Sequence, residues 1–327
     1  MNDSVSSSIR RRLIQGAGAA VLAGPFLRAR AQAGGLGGVT LRVGDQTGAS
    51  QALLRAAGLL ADVPYRIEWS QYAAAVNLHE ALKADATDIG SANDSPTVSA
   101  IAGGSKVKVV AAWNNGGRGT SLLLPKSSPA RTLADLRGRI ISPTTRGSVA
   151  HYLVVGLLKE AGIPLGDVKL AFLSPTDATA AFGSGSIDAW ATWGIFRARA
   201  VGTLGARELD KGERVNTGLG LLSATPSAVA DPGKLAAIRH FSALVDKGYE
   251  WGRTHREAYI DWYAGFAKQD KALAASVYDE NIAYRRVPVD DALVARLQKT
   301  HQVWLDTGVL SGAIDFAGHV LRDNARA

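Results

Sequence analysis

Residues 179–196, TAAFGSGSIDAWATWGIF, decide the fold because an earlier segment repeats their plan. Residues 80–96, EALKADATDIGSANDSP, also run from a helix end through small residues, and an Asp beside an Ile, into a short strand and a loop. Two such units predict two halves built alike. Ligands of open parallel sheets bind beyond the carboxyl ends of the strands, so we expect both loops to face one cleft.

Short apolar runs alternate with longer helical patterns around these two units. The apolar runs predict strands at 39–44, 65–70, 88–92, 106–113, 121–125, 139–143, 168–173 and 188–193. Apolar periodicity predicts helices at 48–60, 71–84, 94–103, 132–137, 148–161 and 175–184, and consecutive helices beyond about residue 230. This alternation favours an α/β fold with mainly parallel sheets.

The first 33 residues have the pattern of an export signal. Three arginines at 10–12 precede a short apolar stretch and a small-residue ending, ARAQA. Residues 13–27 are too few and too rich in glycine to span a bilayer, which needs about 20 apolar residues. The pattern resembles a twin-arginine signal cleaved near Ala33. We therefore expect a periplasmic protein that is not embedded in a membrane.

Charge and cysteine content exclude several classes of protein. The formal net charge is +8, and removing the leader takes away five arginines and one aspartate to leave +4. The remaining sequence has no run rich in lysine or arginine, so a nucleic-acid partner is not expected. The sequence has no cysteine, which excludes disulfides, thiolate metal sites and a cysteine nucleophile.

The sequence also lacks the common motifs of enzymes. GSGSI at 183–187 precedes a strand, whereas a nucleophile elbow joins a strand to a helix. The six histidines form no H-E-x-x-H or H-x-H pattern. VGDQTGAS at 43–50 lacks the glycines of a dinucleotide fingerprint. We expect no enzymatic activity, cofactor or metal, and an exported small hydrolase is the alternative from another class.

The segment RGSVAHY, residues 146–152, is a helix start suited to an anion. Gly147 and Ser148 lie where the first N–H groups of a helix point outwards and carry the positive end of its dipole. An oxyanion binds well there, and His151 could add a further donor. The alternative is an ordinary serine N-cap beside a solvated histidine.

Two further helix starts share this design. NDSPTV places three polar residues before a proline suited to the first helical position. DQTGAS offers a glutamine before its glycine. Both starts are equally compatible with capped helices that bind nothing. The contacts predicted here are Gln46, Asn93, Asp94 and Ser95.

Tryptophans supply the second component of a binding site. Trp113 ends one predicted strand, and Trp190 and Trp193 bracket another, positions from which large rings can line a cleft. Residues three apart in a strand point to opposite faces, so at most one of the latter two is expected to touch a ligand. The alternative is that all three are core residues, because tryptophan is highly buried on average.

Taken together, these segments resemble the substrate-binding proteins of ABC importers in the aliphatic sulfonate, taurine and nitrate family. The similarity covers essentially the whole mature chain and is carried, in the family's order, by LRVGDQTGA, DIGSANDSP, LLLPKSSPARTLADLRGRIIS, GSVAHY and SPTDATAAFGSGSIDAWATW. The resemblance implies a type II periplasmic-binding-protein fold. In that fold two lobes, each a mainly parallel sheet flanked by helices, clamp the ligand between them about a hinge of two crossings.

The resemblance also implies boundaries and partners. The first lobe would comprise residues 36–123 and 222–327, and the second lobe residues 124–221, with crossings near 123–126 and 218–224. The protein would be a monomer that delivers a small anionic ligand to ABC permease subunits. The loop at Gln46, the Asn93 to Ser95 loop, the GSVAH helix start and the DAWATW strand end would look towards that ligand.

One departure from the family concerns the identity of the ligand. Relatives often continue the last strand as Trp-Asp-Pro, whereas Trp193 is followed here by Gly194 and Ile195. The change removes a carboxylate and a rigid proline near the cleft. We expect an organosulfonate, either an aliphatic sulfonate or a taurine-like one, and nitrate, a carboxylate and a pyrimidine remain alternatives in the same fold.

Overall fold

The computed structural model describes residues 35–323. The export signal expected at residues 1–33 lies outside this range. The strands of the described residues are β1 Thr40–Gln46, β2 Arg66–Tyr72, β3 Ile89–Asn93, β4 Lys108–Asn114, β5 Thr120–Leu124, β6 Ile140–Ser142, β7 Lys169–Leu170, β8 Ala189–Trp193, β9 Arg207–Asp210, β10 Leu219–Ala224 and β11 Arg285–Val287. All eight predicted strands are present.

Helices surround the strands along the whole described range. The α-helices are α1 Ala49–Ala56, α2 Ala75–Lys83, α3 Asp94–Ala102, α4 Val149–Glu160, α5 Pro175–Gly183, α6 Gly194–Gly202, α7 Pro226–Ala230, α8 Pro232–Thr254, α9 Arg256–Ala267, α10 Lys271–Ser276, α11 Tyr278–Asn281 and α12 Asp291–Asp306. The helix predicted at 132–137 is a short 3-10 helix, Leu133–Leu136. Among residues 35–323, none of the helices has both the length and the apolar character needed to cross a membrane.

The strands form two mixed sheets. The first has the order β11-β4-β10-β3-β1-β2 and the second the order β7-β6-β8-β5-β9. In the first, β1 runs parallel to β2 and β3, while β10 is antiparallel to β3 and β4. In the second, β6 is parallel to β7 and β8, while β5 is antiparallel to β8 and β9. The α/β fold is confirmed, but the sheets are mixed where mainly parallel sheets were expected, because β10 and β11 in the first sheet and β5 in the second run opposite to their neighbours.

The two repeated units make the same hydrogen bonds in their two sheets. Asp88 receives the backbone N–H of Arg42 on its Oδ2 at 2.8 Å, and its own N–H donates to the Arg42 carbonyl at 2.8 Å. Asp188 receives the N–H of Ile140 on its Oδ2 at 2.8 Å and donates to the Ile140 carbonyl at 2.8 Å. Each aspartate thus fixes the register of its strand against the neighbouring parallel strand.

The chain passes between the sheets at residues 115–119 and 211–218, a few residues before the crossings expected from the sequence. The two passages lie against each other, since the Asn115 N–H donates to the Gly218 carbonyl at 2.9 Å. Gly218 has φ +71°, and a Cβ there would lie 2.2 Å from the Gly117 nitrogen. The contact therefore requires glycine. The lobe extents 36–123, 124–221 and 222–327 remain a prediction.

Two helix packings connect elements of the two sheets. In the first, Tyr152 and Val155 of α4 share a buried cluster with Trp304 of α12. In the second, Ala198 of α6 packs with aromatic and apolar residues of α9, α10 and α11, among them Tyr259. The second packing brings the carboxyl end of β8 next to the C-terminal helices.

Candidate functional site

A cavity of about 440 Å³ joins the carboxyl ends of β1 and β8. Its lining comes mainly from the β1–α1 turn, the start of α6 and the helices α8, α9 and α11. We call it the aromatic cavity, because eight aromatic side chains line it: Trp193, Phe196, Tyr249, Tyr259, Trp262, Tyr263, Phe266 and Tyr284. Aromatic side chains are thus eight of its eighteen lining residues.

The rings of the aromatic cavity are packed on one another. Trp262 and Phe266 are stacked with centroids 5.7 Å apart and planes 16° from parallel. Tyr249 and Tyr284 form a second stack at 5.2 Å and 27°. Such pairs hold each other in one orientation, so the cavity presents preformed flat surfaces.

The tyrosines of the cavity are neutral hydroxyl donors. Burial raises the pKa of Tyr249 well above its ordinary value. It also raises the pKa of Tyr263 and Tyr284, and the neighbouring amides of Asn281 and Asn93 respectively offset part of this effect. These phenols stay protonated at neutral pH, and each can donate to an oxyanion.

The start of α6 supplies the cavity with backbone donors. Trp193 is the N-cap residue and makes no capping hydrogen bond with its side chain, and Gly194 has φ +52°. The Gly194 N–H donates to the Gly119 carbonyl at 3.0 Å. Ile195 and Phe196 come next in the first turn and line the cavity. The first N–H groups of a helix lack intrahelical acceptors and carry its positive end, so an anion is stabilised there.

A carboxylate of the chain already accepts hydrogen bonds from the N–H groups at the start of α1. The side chain of Asp45 receives the N–H of Ser50 at 3.1 Å and that of Gln51 at 2.8 Å. Burial raises the pKa of Asp45, while these two hydrogen bonds lower it. Gln46, which lines the cavity, donates its amide to the Ser91 carbonyl at 2.7 Å. Of the two helix starts at the cavity, that of α6 is the more available to an anion.

The predicted donors at the start of α4 form hydrogen bonds with one another. The Gly147 N–H donates to Nδ1 of His151 at 3.1 Å. The Ser148 hydroxyl accepts the His151 N–H at 3.2 Å and donates to the Pro143 carbonyl at 3.3 Å. Serine N-capping, the alternative raised from the sequence, therefore describes the local hydrogen bonds. None of the three predicted residues lines the aromatic cavity, and their contact with a ligand remains a prediction.

His151 is fully buried. Burial, with a smaller effect of Arg146, lowers its pKa to about 4. Since Nδ1 accepts a hydrogen bond, the neutral ring carries its proton on Nε2, which has no hydrogen-bond partner among residues 35–323. The ring packs edge-on against Phe172 and lies 5.0 Å from that of Trp304.

The Asn93 to Ser95 segment begins α3 and is tied to its surroundings. Asp94 is buried, and its Oδ2 accepts the hydroxyls of Thr217 at 2.6 Å and Thr300 at 2.7 Å. Burial raises the pKa of Asp94, and the two hydroxyls lower it. Asn93 donates to the Leu219 carbonyl at 3.3 Å. The Ser95 hydroxyl is buried and has no partner within the described part of the chain.

The three predicted tryptophans have different positions. Trp113 is buried and donates to Asp246 at 2.5 Å. Trp190 is fully buried and donates to the Thr144 hydroxyl at 3.1 Å. Trp193 lines the cavity. The core alternative thus describes the first two, and one of the two β8 tryptophans lies where a ligand can reach it.

Sequence reasoning missed the C-terminal wall of the cavity. The segment YIDWYAGF, residues 259–266, places aromatic rings at positions 259, 262, 263 and 266. This spacing puts all four on one face of a helix, here α9. We call these four rings the α9 stripe. The helical spacing of these four rings is the signal that the sequence offered for this wall.

Known proteins share this architecture. A model of the family described as NMT1/THI5 like matches residues 66–257. A protein of Escherichia coli (strain K12), named for binding aliphatic sulfonates, is 29% identical over 283 residues, which are 84% of this chain and 86% of that protein.

Two solved structures extend the comparison to the fold. The alkanesulfonate-binding protein SsuA from Xanthomonas axonopodis pv. citri, bound to MOPS, has a TM-score of 0.79 and 26% identity, over 86% of this chain and 98% of that one. The periplasmic aliphatic sulphonate binding protein SsuA from Escherichia coli has a TM-score of 0.77 and 27% identity, over 86% and 92%. The two-sheet fold expected from the sequence is confirmed.

Proposed function

The chain belongs to the NMT1/THI5-like family, and from this premise we propose that it captures an organosulfonate in the aromatic cavity and delivers it to an ABC importer. The observation that carries the proposal is the cavity itself, which combines aromatic walls with the open start of α6. The relatives named for sulfonate binding cover more than four-fifths of the chain, which supports the same class of ligand.

The chemistry of the cavity suits a sulfonate. A sulfonate keeps its negative charge at physiological pH and accepts several hydrogen bonds. The first turn of α6 and the tyrosine hydroxyls place donors of that kind around the cavity. A helix terminus contributes about 0.3–1 kcal/mol, up to about 2 when partly buried. Micromolar affinity needs about 8 kcal/mol, so hydrogen bonds and apolar burial must supply the rest.

Three further groups support a polar subsite near the predicted loops. The Ser95 hydroxyl, the Thr192 hydroxyl and Nε2 of His151 are buried without a hydrogen-bond partner among residues 35–323. They lie on α3, β8 and α4, at or after strand ends. Buried donors usually have partners. None of these three groups lines the aromatic cavity, so we propose that they bind a polar atom or a water outside that cavity.

The cellular role is inferred from the family and the predicted leader. We propose that a twin-arginine signal exports the protein, that it works as a monomer in the periplasm, and that it releases its ligand to the permease of an ABC importer. We propose no catalytic step, because the cavity holds no nucleophile paired with a base among its described lining residues.

A ligand panel tests the proposed function. Thermal denaturation of the leaderless protein, stripped of carried-over ligand, would be followed with alkyl and aryl sulfonates, taurine, nitrate, a carboxylate and a pyrimidine. A ligand at about 100 times its Kd adds about 2.7 kcal/mol of stability, which raises the Tm by about 4–5 °C for a chain of this size. Stabilisation by a sulfonate is expected, whereas a shift only with nitrate, carboxylate or pyrimidine would reject the substrate class.

Export and turnover need separate measurements. N-terminal sequencing of the periplasmic protein is expected to place cleavage near Ala33, and export should fail when the twin-arginine translocase is inactivated. Purified protein should not hydrolyse chromogenic esters or phosphates. Measurable turnover that disappears when a cavity residue is changed would favour the hydrolase alternative.

A further inference from the structure

Two separate parts of the chain supply the aromatic walls of the cavity. One wall is the α9 stripe, which comprises Tyr259, Trp262, Tyr263 and Phe266. The end of β8 and the first turn of α6 contribute Trp193 and Phe196. Flat, polarisable surfaces on separate elements favour a flat ligand, because rings gain from stacked and edge-on contacts beyond the burial of apolar area.

The lining also lacks charge. Among the described residues that line the aromatic cavity, none is an Asp, Glu, Lys, Arg or His. The nearby Glu280 is paired with Arg197 at 2.5 Å, so its carboxylate is already engaged. A ligand ammonium would therefore lose its hydration without a carboxylate in the lining to replace it. This selects against taurine-like zwitterions.

The volume of the cavity also favours a ligand larger than taurine. At about 440 Å³ it falls in the range of sites for larger organic ligands, about 300–1,000 Å³. A two-carbon sulfonate would leave most of the aromatic wall in contact with water, and a ring would cover it.

We infer that the ligand is an arylsulfonate, with its ring against the α9 stripe and its sulfonate near the first turn of α6. The inference rests on the proposed function and narrows its substrate class. Each ring contact is expected to raise affinity about two- to tenfold over an aliphatic group of equal area. An aryl ligand with two such contacts should bind about four- to hundredfold more tightly than an alkyl one.

Isothermal titration of the leaderless protein with three ligands tests the inference. Benzenesulfonate and hexane-1-sulfonate have six carbons each and differ in aromaticity, and taurine adds an ammonium. We expect benzenesulfonate to bind at least about fourfold more tightly than hexane-1-sulfonate, with taurine the weakest. Hexane-1-sulfonate binding as tightly as benzenesulfonate would overturn the inference and leave sulfonate binding intact. No binding of any sulfonate would overturn the proposed function as well.

A pair of matched variants locates the effect. Trp262→Leu removes a ring from the cavity wall, and Trp69→Leu makes the same change on β2, where Trp69 packs against Phe241. The cavity variant should weaken benzenesulfonate about tenfold and hexane-1-sulfonate at most threefold, and the control should change neither. Equal losses for both ligands would overturn the inference. Phe196→Leu gives the same readout if Trp262→Leu fails to fold.

Discussion

Replacing Ile195 by proline tests whether the first turn of α6 holds the anionic group of the ligand. Ile195 is the second residue of α6 and lines the aromatic cavity. Its N–H has no acceptor within the helix. Proline is tolerated in a first helical turn, because only that N–H is lost. The substitution therefore removes one proposed donor and leaves the helix in place.

The expected loss of affinity follows from the strength of the hydrogen bond between the Ile195 N–H and the anion. A hydrogen bond to a charged group contributes about 1.5–3 kcal/mol, and about 1.4 kcal/mol corresponds to a tenfold change in Kd. Sulfonate affinity should fall about tenfold or more. The side chain has its own control, because Ile195→Val keeps the N–H and removes one methylene, about 0.8 kcal/mol, or at most about fourfold in Kd.

A second control isolates the proline itself. Ala292 occupies the same position in the first turn of α12 and is exposed, away from the cavity. Ala292→Pro should leave sulfonate affinity unchanged. Isothermal titration with benzenesulfonate measures all three variants, after thermal denaturation shows that each is folded. If Ile195→Pro binds within twofold of the unchanged protein, the N–H of Ile195 does not hold the anion.

Three further predictions concern stability. Asp88→Asn should cost about 2–3 kcal/mol of unfolding free energy, because the Asp88 side chain is fully buried between two cations. Asp188→Asn should cost less than about 1 kcal/mol, because the Asp188 side chain is 38% exposed. Urea titrations that give equal losses for the two variants would contradict this prediction. Gly218→Ala should lower the stability of the fold more than Gly308→Ala. Both glycines have positive φ, but only Gly218 has backbone atoms within 3 Å of an added Cβ. An equal fall in Tm for the two variants would show that the steric contact at Gly218 contributes nothing. Burial holds the pKa of His151 at about 4, below its ordinary 6.5, so the unfolded chain takes up the proton first and stability should fall as the pH falls from about 6.5 to 4. His151→Gln should flatten that part of the stability profile by up to about 3 kcal/mol, and an unchanged slope would show that this histidine is not responsible.

Elements with strong local patterns were predictable. The eight strands read from apolar runs are present, and the repeated units at 80–96 and 179–196 make equivalent hydrogen bonds through Asp88 and Asp188. The resemblance to sulfonate-binding proteins of ABC importers, made from five short motifs, is confirmed by the family match and the named relatives. These features depend on local periodicity or on residues close together in the chain.

Elements that depend on distant contacts were not predictable. Strand β9, RELD, has no apolar alternation, and it forms because β5 pairs with it. Residues 194–202 were expected to start as a loop after Trp193, yet they form α6, whose Ala198 is buried against α9 to α11. A helix opening with a glycine at positive φ has no capping signal in the sequence, so only its packing reveals it.

The division between repeated and unrepeated parts explains how one scaffold can serve different ligands. Asp88 and Asp188 hold β3 and β8 in equivalent positions, so both strands end at the cleft. The helices after these two strands differ: α3 starts with Asp94 bonded to two threonine hydroxyls, whereas α6 starts with an open first turn at the cavity. The α9 stripe has no counterpart among the described residues of the second sheet and its helices. Because the start of α6 and the α9 stripe supply the proposed donors and most of the rings, changes there can alter the ligand without disturbing the strand register that holds the fold.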